Sequence, residues 1–366
     1  MRAPRSFRSG QRGLSLVEVL VGVMIGMIGI VVIFQMLAAA EERKRTTSSG
    51  TDAQITGALA LHALERDLRP AGYGFGTASL MGCTVNAYDS GRPGNAWTFT
   101  LAPVQITQGA SGAPDTVVTL WGSSSQFVAS QSFTTSTATS KVTQGRGGLQ
   151  NGDLVLATGS GPVCALVEIT DTSNTDGVTV VHDTGAYTNA AGTATTARYN
   201  VAGGPAVTFA SGYIHNLGNG PRRNVWSIRS TKLLTVANDL RYADADGDGA
   251  NDWQEIAEGV IDLQADYGVD ANNDNRIGTS EWTTTTPTDW SKVRAIRVAL
   301  LTRSGQYEKA AVTTTAPTWM GGSFVMRNVD GTTDTNPAND NNWRHYRYRV
   351  YETIVPLRNM IWGTAP

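Results

Sequence analysis

The side chains best suited to chemistry are the alternating acids of residues 244–255. Their order fits the twelve-position calcium loop D-x-[DN]-x-[DN]-G-x5-E without exception. In such a loop the acids at positions one, three and five point at one centre, a glycine permits the sharp turn, and the last glutamate closes the shell. The sequence therefore predicts a calcium site, with a solvated Asp/Gly turn as the alternative. The predicted ligands, including one backbone carbonyl at position seven, are Asp244, Asp246, Asp248, Ala250, Asp252 and Glu255.

A second acidic loop occupies residues 270–281, with Asn275 in place of the usual glycine. Asparagine tolerates the left-handed backbone region best after glycine. The loop has fewer carboxylates, so we expect weaker calcium binding. The pattern between the two loops is that of strands, which predicts loops inserted in a sheet rather than a paired helical EF-hand domain. The predicted ligand positions are Asp270, Asn272, Asp274, Arg276 and Glu281.

Catalytic chemistry has little support in the sequence. No Gly-x-Ser-x-Gly elbow and no phosphate-binding loop is present. The four histidines show no metal-ligand spacing, and we interpret each as a surface or hydrogen-bonded residue. They are His62, His182, His215 and His345. The prediction is that the protein is not an enzyme.

An apolar run over residues 14–40 is long enough to cross a bilayer as a helix, which takes about 20 residues. Four arginines precede it, and the positive-inside rule then favours a cytoplasmic leader. A secretory signal peptide is the competing interpretation, but its apolar core would be shorter and its cleavage site would follow that core. The arginines are Arg2, Arg5, Arg8 and Arg12.

Glu18 is the one charge inside the apolar run. A carboxylate at the start of a lipid-facing helix costs about 2.5–3.5 kcal/mol unless it finds a partner. Either Glu18 pairs with a positive charge, or it snorkels to the cytoplasmic interface.

The segment Arg12-Gly13-Leu14-Ser15-Leu16-Val17-Glu18 resembles the type IV prepilin signal. The resemblance implies that residues 1–13 are a leader, that a prepilin peptidase cuts after Gly13, and that the new amino terminus at Leu14 is methylated. It also implies that residues 14–40 anchor the chain in the inner membrane and later polymerise. Glu18 would then neutralise the amino terminus of a neighbouring subunit.

The rest of the chain has the composition of an exported β-rich body, residues 73–366. The whole sequence has 40 glycines, 13 prolines, only 16% charged residues and a formal charge of −2. No basic patch indicates nucleic acid binding. In an oxidising periplasm the two cysteines, Cys83 and Cys164, are expected to form a disulfide, with two free buried thiols as the alternative.

Apolar residues recur at near-helical spacing from Ala53 to Leu68, which predicts an amphipathic extension, residues 41–72, that packs on a sheet. Thr46 to Gly50 is a poor helix sequence and predicts a break. Two Thr/Ser/Gly-rich stretches, 131–148 and 187–204, suggest exposed hairpins or irregular insertions. Alternating or β-branched residues predict strands at Ile261–Val269, Val293–Leu301 and Tyr346–Val355.

Several of these segments are similar to the PilW family of minor pilins, and through it to the large pseudopilin J of type II secretion. The similar segments are Glu65–Tyr73, Asp262–Gln264, Tyr267–Asp270, Val293–Leu301 and Tyr351–Asn359. The resemblance implies a pilin-like α+β fold: a long N-terminal transmembrane and amphipathic helix packed on an antiparallel β-sheet head with long loop insertions. It leaves the stretch from Trp97 to Asn224 without a motif.

The resemblance further implies a minor pilin that primes and caps a type IV pilus, of the kind used in twitching motility. Its partners would be other minor pilins, the major pilin and a tip adhesin, and its head would move from the periplasm to the pilus tip. Two alternatives stay open. One is a pseudopilin J at the tip of a type II secretion pseudopilus. The other is a membrane-anchored, calcium-dependent surface or glycan binder that uses exposed aromatics such as Trp97, Trp121 or Trp319.

Overall fold

The protein is described by a computed structural model. The chain divides into two units, the first ending at Thr51 and the second beginning at Asp52. The described residues are 15–75, 80–125, 130–230, 232–333 and 342–362. The expected leader, with Gly13 and Leu14 at its cleavage site, lies outside them.

The first element is helix α1 (Leu16–Leu68), which has 53 residues. Its part Leu16–Glu41 is long and apolar enough to cross a membrane, and none of it is buried within the protein. Helix is also assigned to residues 46–50, where the sequence predicts a break. Thr and Ser cost at most about 0.7 kcal/mol each in a helix and Gly about 1 kcal/mol. Those costs are too small to interrupt a helix that is already formed on both sides.

Within the second unit, α1 presents one apolar stripe to the head. Ala60, Leu64 and Leu68 on this stripe are fully buried, as the helical spacing predicts. The helix stops at Leu68 because Pro70 follows, and Gly72 then turns the chain at a φ of 84°.

The predicted central strands form one antiparallel four-stranded sheet. Its buried face belongs to the same core as the α1 stripe. Its other face is covered by the segment after Arg303, where Phe324 packs on Ala299 and Leu301. In spatial order the strands are β17 (Trp282–Thr283), β16 (Val260–Val269), β18 (Val293–Arg303) and β21 (Tyr348–Pro356). The covering segment contains the hairpin β19 (Thr318–Trp319) and β20 (Gly322–Ser323), and the short helix α2 (Arg358–Trp362) follows β21.

A second antiparallel sheet of five strands shares this core through Val104, Val117, Trp226 and Leu234. In order, its strands are β15 (Gln254–Glu258), β14 (Leu233–Asn238), β13 (Arg222–Arg229), β4 (Thr116–Trp121) and β3 (Val104–Thr107). The helix and these two sheets confirm the α+β, pilin-like fold class.

The stretch without a motif builds most of an eight-stranded sheet. Its order is β2 (Ala96–Thr100), β1 (Thr84–Tyr88), β8 (Val163–Glu168), β7 (Leu154–Thr158), β12 (Gly212–Gly218), β5 (Gln131–Ser136), β6 (Ser140–Thr143) and β9 (Thr179–Val181). The β1–β8 pair is parallel and the other pairs are antiparallel.

Both polar stretches contain hairpins, as predicted. The stretch 131–148 is not fully exposed, however, because β5 and β6 belong to the eight-stranded sheet and Phe133 packs in its core. The stretch 187–204 carries most of the small hairpin β10 (Ala186–Thr188) and β11 (Ala194–Thr196).

Candidate functional site

The first acidic loop connects β14 to β15, so it is inserted between sheet strands as predicted. Its carboxylates hold the loop's own backbone in place. The N–H of Gly249 donates to Oδ2 of Asp244 at 3.1 Å, and the N–H of Asp248 donates to Oδ1 of Asp246 at 3.2 Å. The N–H of Ala250 donates to Oδ1 of Asp248 at 2.7 Å. Gly249 has a φ of 79°, which is the left-handed turn expected of this glycine.

Three carboxylates of this loop converge. Asp244, Asp246 and Asp252 each offer an oxygen atom, and these oxygens lie within 4.8 Å of one another. Oδ1 of Asp244 is buried and has no hydrogen-bond partner in the described part of the chain. Asp252 also closes the loop, since its Oδ2 accepts the N–H of Ala245 at 3.0 Å. Like charges at this separation repel one another unless a cation lies between them.

Two of the predicted ligands stand apart from this cluster. Asp248 and Glu255 are not among the three converging carboxylates. Glu255 is an exposed residue of strand β15, where it pairs with Thr235. The position-twelve acid therefore lies on a strand rather than on the helix that follows an EF-hand loop, and Asp252 at position nine belongs to the cluster instead.

The second acidic loop follows β16 and repeats the backbone geometry of the first. The N–H of Asn275 donates to Oδ2 of Asp270 at 3.1 Å, and the N–H of Asp274 donates to Oδ1 of Asn272 at 3.0 Å. The N–H of Arg276 donates to Oδ1 of Asp274 at 2.8 Å. Asn275 has a φ of 61°, so it takes the conformation of the glycine that it replaces.

The second loop differs from the first in how its acids are satisfied. Both oxygens of Glu281 accept backbone N–H groups, from Ala271 at 3.1 Å and Gly278 at 2.7 Å. Asp270 is 1% exposed, accepts two N–H groups and lies 3.8 Å from the guanidinium of Arg294. The protein's own donors thus already stabilise these two carboxylates.

At the start of α1, Ser15 and Glu18 form a helix cap. The N–H of Glu18 donates to the Ser15 side-chain oxygen at 3.2 Å, which satisfies one of the free donors of the first turn. The side chain of Glu18 is exposed. A Cβ added at Gly22 or Gly26 would meet no atom within 4 Å, so these glycines present bare backbone to any neighbour.

Cys83 and Cys164 form the predicted disulfide, with a Cα–Cα distance of 5.9 Å. Cys83 immediately precedes β1, and Cys164 lies opposite Val85 in the parallel β1–β8 pair. The bond therefore joins two strands that are far apart in sequence and adjacent in the sheet.

Sequence reasoning did not single out Asp67, a buried carboxylate near the end of α1. Its Oδ1 accepts hydrogen bonds from Trp121 Nε1 at 3.0 Å and Asn224 Nδ2 at 2.8 Å. Its Oδ2 accepts from Thr119 Oγ1 and Trp226 Nε1, both at 2.7 Å. The signal for it in the sequence is an acid beside the apolar stripe of the helix, at a place where burial requires hydrogen-bond partners.

Three of the histidines, His182, His215 and His345, are buried. His182 Nε2 lies 2.9 Å from Lys141 Nζ. Burial, together with the Lys141 charge, lowers the pKa of His182 to about 4, and burial lowers the pKa of Lys141 to about 8. Burial also lowers the pKa of His215 to about 4. These are the environments of neutral core imidazoles.

The three aromatics considered for surface binding are only partly exposed, in contrast to the expectation. Trp97 stacks on Phe99 with ring centroids 4.9 Å apart, and Trp121 is held by Asp67. Trp319 packs with Phe324 against the four-stranded sheet. All three side chains therefore make their contacts within the head.

Two family models match the chain. The model of PilW, the type IV pilus-assembly protein W, matches residues 226–359, and that of the prokaryotic N-terminal methylation motif matches residues 8–34. The first match begins in β13 and contains both acidic loops, and the second includes Gly13, Leu14 and Glu18. Searches of the curated proteins and of the solved structures returned no match.

Proposed function

Because the chain is a type IV pilus-related minor pilin of the PilW family, we propose that it helps to prime assembly of a pilus and then caps it. The presence of a prepilin motif and a PilW region in one chain is the observation that carries this proposal. In this role the chain contacts other minor pilins, the major pilin and a tip adhesin. Its apolar helix fits an anchor in the inner membrane before assembly.

Deletion of the gene in its host tests this function. Counting pili by electron microscopy should show fewer pili in the deletion strain and normal numbers once the full chain is supplied again. Normal piliation without the gene would contradict the proposal. Loss of type II secretion with normal pili would favour the pseudopilin J alternative.

We also propose that the first acidic loop binds calcium through Asp244, Asp246 and Asp252, with the backbone carbonyl of Ala250. Calcium takes about six to eight oxygen ligands, and this loop offers oxygen donors only. The buried, unpartnered Oδ1 of Asp244 supports the proposal. Calcium would supply the positive charge that these carboxylates lack and would stiffen the connection from β14 to β15. At the second loop calcium stays a weaker prediction.

The sequence motif makes both Asp252 and Glu255 calcium ligands, whereas the calcium proposal uses only Asp252. An extracellular-type site has a dissociation constant of roughly 10⁻⁴–10⁻³ M, so millimolar calcium should stabilise the full chain in detergent by about 1 kcal/mol. Calcium should therefore raise the melting temperature of the unsubstituted chain. Asp252→Asn should remove this rise, while its amide oxygen still accepts the Ala245 N–H. Glu255→Gln is the matched control and should keep the rise. Identical melting of the unsubstituted chain in calcium and in chelator would mean that the loop is only an acidic turn.

A further inference from the structure

A polar groove of about 690 Å³ runs between helix α1 and the face of the five-stranded sheet. Its floor takes residues from β4, β13, β14 and β15, and its wall is the last turn of α1 with Pro70. The first acidic loop reaches the groove through Asn251 and Asp252. A cavity of this size is within the usual range of ligand sites, which is about 300–1,000 Å³.

Three arginines line this groove without a carboxylate partner. Arg66, Arg222 and Arg241 are exposed, and none of them forms an ion pair within the described part of the chain. Neighbouring arginines behave differently. Arg92 and Arg223 both pair with Asp239, and Arg198 is bidentate to Asp89. Carboxylates therefore neutralise Arg92, Arg198 and Arg223 but not Arg66, Arg222 and Arg241.

The two acids of the groove leave this positive charge in place. Asp67 has four hydrogen-bond donors on its two oxygens, so it has little capacity left to bind an arginine or a ligand. Asp252 belongs to the proposed calcium cluster. Three guanidinium groups thus face solvent beside two partly exposed indoles, those of Trp121 and Trp253.

The groove continues into a second cavity of about 540 Å³. Arg222, Asn238 and Arg241 line both cavities, so two of the three arginines lie where the cavities meet. Two adjoining cavities suit an extended chain better than a small compact ligand.

We propose that this groove binds an acidic segment of a protein partner, a neighbouring subunit of the assembly, through Arg66, Arg222 and Arg241. The partner's identity as a subunit rests on the proposed function. Guanidinium groups bind carboxylates with two parallel hydrogen bonds, and Trp and Arg are the residues that dominate binding energy at protein interfaces. An acidic saccharide is less suited. The N–H groups of Trp121 and Trp226 both donate to Asp67, so these two indoles have no donor left for sugar hydroxyls.

Binding of a fluorescent hexaglutamate peptide to the full chain in detergent tests the proposal. The double variant Arg222→Glu, Arg241→Glu should bind the peptide at least roughly tenfold more weakly, because two attractive charges become repulsive. The double variant Lys309→Glu, Arg349→Glu is the charge-matched control, since both residues are exposed, line neither cavity and form no ion pair in the described chain. This control should bind as the unsubstituted chain does.

Three results would overturn the proposal: no binding of hexaglutamate, equal binding by the Arg222→Glu, Arg241→Glu variant, or equal weakening by the charge-matched control. Binding of an oligogalacturonate in the absence of hexaglutamate binding would assign the groove to an acidic saccharide. Thermal melting of each variant shows whether the head is still folded. Pilus counts in the deletion strain report on the proposed function separately, so failure of the groove and failure of the function are distinguishable.

Discussion

Asp67 shows how one residue fixes the contact between the helix and the head. A buried carboxylate is costly unless its oxygens are hydrogen-bonded. Here two donors from β4 and two from β13 fill both oxygens. The bonds orient two tryptophans as well as the helix, so this carboxylate specifies how α1 sits on the five-stranded sheet.

Replacing Asp67 should therefore destabilise the head strongly. Asp67→Ala leaves four donors without their acceptor, at about 1–3 kcal/mol for each buried one, and we expect a loss of about 4 kcal/mol or more. Glu65→Ala is the control on the same helix, because Glu65 pairs only with the exposed Arg69 and should cost less than about 0.5 kcal/mol. Urea unfolding followed by tryptophan fluorescence measures both. Similar losses in the two variants would contradict this account.

Asp262 and Asp115 are two buried acids of the head. Burial raises the pKa of Asp262 to about 7, with a smaller contribution from Asp115, and burial raises the pKa of Asp115 to about 6. A carboxyl group whose folded pKa is raised favours the folded state in its protonated form. Its stabilising effect is fully present below about pH 4 and is lost as the pH rises through the folded pKa.

Asp262→Asn should remove the loss of stability that the Asp262 carboxyl group causes as the pH rises. Asparagine keeps the oxygen that accepts from Gln264 Nε2 at 2.9 Å but cannot ionise. The difference in free energy of unfolding between Asp262→Asn and the unsubstituted chain should grow by on the order of 3 kcal/mol from pH 4 to pH 8. The two proteins are compared at each pH because His182 and His215 also titrate. Both have a lowered pKa in the folded state, so the free energy of unfolding of either protein falls as the pH drops below about 6.5. A constant difference across this range would refute the prediction.

Among the secondary-structure elements, the sequence predicts best those with a clear period. The alternation in β16 and the β-branched run in β18 indicate the central strands, and the stripe of Ala60, Leu64 and Leu68 indicates the packed helix. The eight-stranded sheet is harder to predict because its strands are short and its neighbours are distant in sequence. A parallel pair such as β1 and β8 is decided by tertiary contacts and leaves no local signal.

The same limit applies to the acidic loops. Their spacing predicts the turns, including the left-handed Asn275, because the side chains at positions one, three and five of each loop bond backbone groups two to five residues ahead. The spacing does not reveal that Glu255 lies in a paired strand, apart from the cluster. Pairing with β14 is a property of the sheet and not of the loop.

The disulfide should contribute substantially to the stability of the eight-stranded sheet. Cys83 and Cys164 are separated by 81 residues, and in the chain-entropy model closing a loop of that length is worth about 4 kcal/mol. Cys83→Ser combined with Cys164→Ser should lower the urea midpoint. Reductant should lower the midpoint of the unsubstituted chain and leave the double variant unchanged. Equal midpoints for the two proteins under oxidising conditions would show that the bond adds little.

For the whole molecule, the proposed assembly role depends on a charge in the first turn of α1. Glu18 is exposed in the apolar span, and its carboxylate has value where a neighbouring amino terminus is available. Glu18→Ala should leave membrane insertion intact and reduce the number of pili. Glu41→Ala, at the other end of the span, is the matched control and should assemble normally. Normal piliation with Glu18→Ala as the only copy would exclude this role.

The position of the Asp67 contact has a mechanical consequence for a filament under tension. The four hydrogen bonds attach the helix to β13 and β4, which are interior strands with a paired neighbour on each side. A pull on the helix at Asp67 therefore loads the middle of the sheet, where a strand must shear past two neighbouring strands at once. An attachment at the edge strand β15 or β3 would let that strand peel away one hydrogen bond at a time.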